Sequence, residues 1–190
     1  MMRRLGVLLI PVLAMVLVAP EASAARTQKV VTKTYAVTGS TVEQVRASLE
    51  ANGPGDYHAT TNWRVSYRFN YAFSAGMCRV TSRTVHTKIV YLYPKWNAPA
   101  EASQALRDKW STYFAGLTVH EEGHGKTGKI TARRVDRMIG RATAGTCPAL
   151  ETQVSRAFKR LIKRGQARDV KYDAETNHGA TQGAIFRPMR

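Results

Sequence analysis

Hydrophobic and polar positions divide the chain into a strand-patterned first half and a helix-patterned second half. Lys29–Val37 (KVVTKTYAV) is rich in β-branched residues and predicts a strand. Ser40-Thr41-Val42-Glu43 has the form of a capping box, and Val42, Val45 and Leu49 follow at one-face helical spacing. Asn52-Gly53-Pro54-Gly55 ends that helix. Trp63–Asn70 then alternates strictly between apolar and polar residues, the mark of a half-buried strand. Cys78–Tyr93 keeps the same texture and predicts one or two more strands, bounded by Gly76 and Pro94. These connections are too short for crossover helices, so the expected sheet is antiparallel.

After Pro99 the period lengthens. Ala102, Leu106, Trp110, Phe114 and Leu117 recur at three- and four-residue spacing, and Ile130, Val135, Met138 and Ile139 extend the pattern. Gly123, Gly125 and Gly128 fall inside it, each weakening a helix by about 1 kcal/mol, so a bend or break is expected there. Gly145 and Thr146 stop this helix. Leu150, Val154, Phe158 and Leu161 mark a last amphipathic helix, with Lys159, Arg160, Lys163 and Arg164 placed to suit its C-terminal dipole. From Tyr172 to Arg190 periodicity fades. The expected fold is α+β: a small antiparallel sheet with an N-terminal helix, packed against a helical C-terminal half.

The N-terminus stands apart from this pattern. Met1–Arg4 carries two arginines, Leu5–Ala19 is almost wholly apolar, and Ala22-Ser23-Ala24 is a small-x-small cleavage site. Residues 1–24 therefore read as a secretory signal peptide cut before Ala25, because about fifteen apolar residues are too few for a bilayer span. The remaining 166 residues, 25–190, suit one domain in the periplasm or outside the cell. The chain carries a formal charge of +16; losing Arg3, Arg4 and Glu21 leaves +15. Such a surface favours anionic envelope components as partners. No interleaving of aromatic and basic residues points to a specific nucleic acid. Cys78 and Cys147 are the only cysteines, and in an exported protein they are expected to pair.

The chemistry concentrates in His120-Glu121-Glu122-Gly123-His124, an HExxH sequence on the long predicted helix. Residues four apart share a helix face about 6 Å apart, so both imidazoles reach one Zn²⁺. Glu121 projects beside them as a general base toward an attacking water. A catalytic zinc takes three protein ligands. The extended HExxHxxGxxH form is absent, since Thr127 and Ile130 stand where it needs glycine and histidine. The third ligand therefore comes from farther along: His178 first, Asp173 as alternative ligand or as the carboxylate that orients a ligand histidine, or Glu151. His58 and His86 read as ordinary loop and strand residues. Tyr172 is a candidate oxyanion stabiliser.

The early strand and the Thr41–Leu49 helix, Trp63 and Tyr67, the two cysteines, HExxH, and Tyr172-Asp173-x-x-Thr176-x-His178-Gly179-x-x-Gln182-Gly183 together carry a resemblance. The chain resembles the family catalogued as domain of unknown function 922, described as predicted secreted zinc-dependent proteases of bacteria. The resemblance implies a zinc site from His120 and His124, Glu121 as base, and the tail histidine as third ligand. The expected activity is zinc-dependent hydrolysis of a peptide or protein substrate. The alternatives are a cell-wall amidase with the same chemistry, or a non-catalytic, metal-containing basic binding domain.

Overall fold

Alternating β-branched and aromatic residues build three long strands in the computed structural model, which describes residues 23–186. The predicted signal segment, apart from Ser23 and Ala24, lies outside the described residues. β1 (Ser23–Val37), β2 (Thr60–Ser74) and β3 (Met77–Trp96) form a sheet in the order β1-β3-β2. A two-residue strand, β4 (Thr143–Ala144), pairs with the start of β3. Cys78–Tyr93 is thus one strand. β2 and β3 form an antiparallel hairpin through Ala75-Gly76, both at positive φ, as a two-residue I′ turn demands.

The sheet is not wholly antiparallel, because β1 runs parallel to β3. Helix α1 (Val42–Asn52) turns the chain back after β1, and the hairpin turns it again, so β3 regains the direction of β1. α1 and β2 together make the long connection that a parallel pair needs. The cap of α1 is Thr41, one residue later than the capping box predicts. Its hydroxyl accepts from the Gln44 N–H at 3.3 Å, and Gln44 Oε1 accepts from the Ser40 N–H at 2.9 Å.

Helix α2 (Gln104–Gly140) is continuous over 37 residues, without the expected break at its glycines. Those glycines are places of close approach. A methyl on Gly123 would strike the hydroxyl end of Tyr172, one on Gly125 that of Tyr91, and one on Gly128 the Cβ of Trp63. Helix α3 (Cys147–Thr176) runs well past Arg164 and ends at Asn177, which is left-handed. A single 3₁₀ turn, Ala180–Gln182, then lies against α2.

Two apolar clusters hold the layers together. One joins α1 and β3 to the first half of α2 through Val45, Leu49, Ile89, Leu106 and Tyr113. The other joins β2 and β3 to the second half of α2 and the start of α3 through Val65, Val85, Val135, Ile139 and Leu150. The expected Cys78–Cys147 disulfide is present and ties β3 to the first turn of α3. Arg83 of β3 pairs with Asp136 of α2 at 2.6 Å across the same interface. Segment His120–His124 lies on α2 between the parts that feed the two clusters. Among the described residues, no helix is long and apolar enough to cross a membrane.

Candidate metal centre

α2 and α3 each present a polar pair at i, i+4 spacing. His120 and His124 lie on α2, and Asp169 and Asp173 on α3. His124 meets Asp169 and both histidines meet Asp173, so α2 and α3 pass each other antiparallel here. The three donors nearest one another are His120 Nε2, His124 Nε2 and Asp173 Oδ1. The nitrogens are 3.3 Å apart, and the carboxylate oxygen is 3.2 Å from His120 and 3.0 Å from His124. A tetrahedral ion with bonds of roughly 2.0–2.1 Å spaces its ligand atoms about 3.3–3.4 Å apart. The triangle therefore fits a small divalent cation, and these three residues form the group among the described residues that can hold one.

The surroundings fit a cation as well. A cleft of about 560 Å³ opens over the triangle, walled by Asp56–Asn62 on one side and the two helices on the other. Asp56, Glu121, Asp169 and Asp173 line it, four of only 13 acidic residues, and no lysine or arginine does. In a chain of +16 that is a local excess of negative charge, which draws cations.

The far side of each imidazole is held in turn. His120 Nδ1–H donates to Gln182 Oε1 at 3.1 Å, with Thr176 Oγ1 at 3.3 Å, which turns the Nε2 lone pair inward. His124 Nδ1 lies 3.2 Å from Asp169 Oδ1. The other oxygen of Asp169 accepts from Trp63 Nε1 at 2.6 Å. Burial and the neighbouring His124 lower the pKa of His120. Burial opposes charge on His124 too, but Asp169, Asp173 and Glu121 outweigh it and raise its pKa.

Glu121 is buried and lines the cleft. Thr61 Oγ1 lies 2.5 Å from Glu121 Oε2 and 3.1 Å from its carbonyl oxygen, anchoring the carboxylate to β2. Burial raises the carboxyl pKa, against the pull of the Thr61 hydroxyl and His124.

The remaining candidates fall elsewhere. His178 is not in the triangle. It follows the left-handed Asn177, is itself left-handed at φ 49°, and stands exposed on the cleft rim. Its Nδ1 is 4.0 Å from Asp173 Oδ1, and its ring lies 5.7 Å from that of Tyr57 across the mouth. Because α3 continues to Thr176, Asp173 faces α2 and completes the triangle with the two histidines. Asp169, and not Asp173, stands behind the Nδ1 of His124. Tyr172 stacks on His120 at 5.1 Å, and its hydroxyl accepts from Gln182 Nε2 at 3.0 Å; it buttresses the histidines and does not line the cleft. Glu151 sits in the second turn of α3, bonded to the Tyr71 hydroxyl, about 33 Å along the helix from Asp173. His86 meets Thr27 on the sheet. His58, read from sequence as a loop residue, does line the cleft, and burial lowers its pKa.

Sequence reasoning missed Asp169, Gln182 as the partner of His120, and Thr61. The Asp169–Asp173 spacing was the available signal, because it repeats the His120–His124 interval. No curated protein and no solved structure matches this chain. The model of one family matches residues 32–179, which span both strands of the hairpin and every member of the triangle. The chain therefore belongs to the family described as bacterial protein of unknown function, DUF922.

Proposed function

We propose that this protein is an exported, metal-dependent hydrolase that cleaves peptide bonds. The observation that carries the reading is the His120–His124–Asp173 triangle, with donors 3.0–3.3 Å apart and the buried Glu121 on the same cleft wall. The donor set is two imidazoles and one carboxylate, which suits zinc and leaves an open position toward the cleft. When bound, such an ion supplies a Lewis acid and makes water more acidic.

The protein's own groups then divide the work. Glu121 accepts the proton of the attacking water and delivers it to the leaving amine. Its burial favours that role, since a raised carboxyl pKa makes a stronger base. Thr61 fixes the orientation of the Glu121 carboxylate. Gln182 and Asp169 hold the two imidazoles in register, so the ligand geometry is set before substrate arrives. Export is supported by the apolar leader and agrees with a Cys78–Cys147 bridge.

The test begins with metal content. Residues 25–190, made under oxidising conditions, are expected to hold about one zinc per chain. His124→Ala and Asp173→Ala should lose it, and His178→Ala should keep it. Glu121→Gln should retain the metal and abolish cleavage of an unfolded protein substrate. Folded protein that takes up no divalent ion, or a Glu121→Gln protein with full activity, would overturn the proposal.

A further inference from the structure

A second cavity, of about 410 Å³, lies between β2 and α3. Its β2 wall is the unbroken run Thr61–Val65, and its α3 wall is Phe158, Ile162, Gln166 and Asp169. Side chains on a strand alternate between faces, so a cavity against one face meets every second residue. A cavity that meets five consecutive residues is pressed against the strand's edge. β2 is the last strand of its sheet, and among the described residues no strand covers its other side. In an antiparallel ladder alternate residues point their N–H and C=O away from the partner. By that alternation, every second residue of Thr61–Val65 turns these groups toward the cavity, whose far wall is Phe158 and Ile162 with Gln166 and Asp169.

This groove adjoins the metal cleft. Thr61, Asn62 and Asp169 line both. Thr61 also holds Glu121. One strand thus positions the base at one end and offers a free edge leading away from it.

We infer that the substrate is an extended polypeptide that binds by adding a strand to the free edge of β2, running from the metal cleft along Thr61–Val65. This rests on the hydrolase reading and deepens it. Five residues of edge span about 17 Å, enough for about five substrate residues on one side of the cleaved bond. Main-chain hydrogen bonds supply the grip, and side-chain pockets supply the choice. Phe158 and Ile162 select an apolar side chain. The exposed Arg64 at the groove selects a carboxylate. A small amide offers nothing to this edge, so the groove separates a peptidase from an amidase acting on a short cell-wall stem.

The experiment uses zinc-loaded protein, residues 25–190, and synthetic peptides of two to ten residues bearing one leucine and one glutamate. kcat/KM should rise with length and level off near six residues. N-methylation of single peptide amides should lower kcat/KM about tenfold at every second position and little between them. Arg64→Glu should raise KM for the glutamate peptide and lower it when glutamate is replaced by lysine. Equal kcat/KM for dipeptide and decapeptide, or no alternation with N-methylation, overturns the groove and leaves the hydrolase standing. If nothing is cleaved, Glu121→Gln protein is titrated with a fluorescent decapeptide by anisotropy. Binding that alternates with N-methylation keeps the groove and overturns the hydrolase; absence of binding overturns the groove.

Discussion

Gly116 lies one turn before His120 in the middle of α2, and its replacement by alanine sets two effects against each other. Helix propensity alone favours alanine by about 1 kcal/mol. The tail opposes it. A Cβ on Gly116 would stand 2.5 Å from the carbonyl oxygen of Gln182, 2.6 Å from the carbonyl carbon of Gly183 and 2.8 Å from the nitrogen of Ala184. All three are backbone atoms, so no side-chain rotation relieves the contact. The tail must retreat by about 1 Å to reach ordinary van der Waals separation. Overpacking of this kind costs up to about 3 kcal/mol, which leaves a net loss of roughly 2 kcal/mol after the propensity gain. For a chain of this size that lowers Tm by about 4–8 °C. The same shift draws Gln182 Oε1 away from His120 Nδ1, now at 3.1 Å, beyond hydrogen-bond reach. Zinc affinity should therefore fall about 10–100-fold. Circular dichroism melts of metal-free protein and competition titrations with a zinc chelator measure the two effects. A Gly116→Ala protein that melts at or above the wild-type temperature and binds zinc equally well would refute the seating of the tail on α2.

Other expectations follow from single contacts. Asp169→Asn removes the carboxylate behind His124 and should weaken zinc binding by about 10–100-fold while the protein stays folded, read by the same titration. Replacing both Cys78 and Cys147 by alanine opens a loop with a sequence separation of 69 and should lower unfolding free energy by about 4 kcal/mol in denaturant titrations. Tyr113 is fully buried and its hydroxyl has no partner among the described residues, so Tyr113→Phe should raise stability by about 1 kcal/mol. Burial pushes the Tyr35 hydroxyl up to about 12 and raises that of Tyr113 as well, against 10.0 for an ordinary tyrosine. Between those values the unfolded chain loses protons that the folded chain keeps, so stability holds below pH 10 and falls as pH rises above it. Urea titrations from pH 9 to 11.5 should show that fall, and Tyr35→Phe should reduce it.

The strands and the first two helices were legible because each buries one face, and burial writes itself as period 2 or period 3.6. Trp63–Asn70 alternates in the sequence as it does in β2, and Leu106 and Leu117, read from their spacing as one helix face, are buried on α2. The parallel pairing of β1 with β3 was not legible in local connections, because the crossover is assembled from two elements separated in the sequence. Nor was the role of the glycines in α2. Propensity treats a mid-helix glycine as a weakness, and only the packed structure supplies the rings of Tyr172, Tyr91 and Trp63 that need the space.

The sequence ranked His178 ahead of Asp173 for a related reason. Hydrophobic periodicity follows α3 as far as Leu161 and then loses it, because the next turns bury polar atoms instead of apolar ones. Asp169, Tyr172, Asp173 and Thr176 stand at i, i+3, i+4 and i+7, the spacing of one helix face, and each touches a histidine of α2. Read by polarity the segment resembles a tail; read by position it is the inner face of a helix. That difference bears on the chemistry. A ligand on a rim segment, as His178 is, would owe its position to a few left-handed residues, whereas Asp173 is fixed by the helix that carries its neighbours. Two antiparallel helices, each offering an i, i+4 pair, hold three donor atoms within 3.3 Å of one another, and the geometry a metal requires is then a property of helix packing. The glycines of α2 complete the arrangement. Gly123 admits the Tyr172 ring that stacks on His120, and Gly128 admits the Trp63 that holds Asp169 behind His124. The positions that make α2 a poor helix by propensity are those that let its histidines be gripped from both sides.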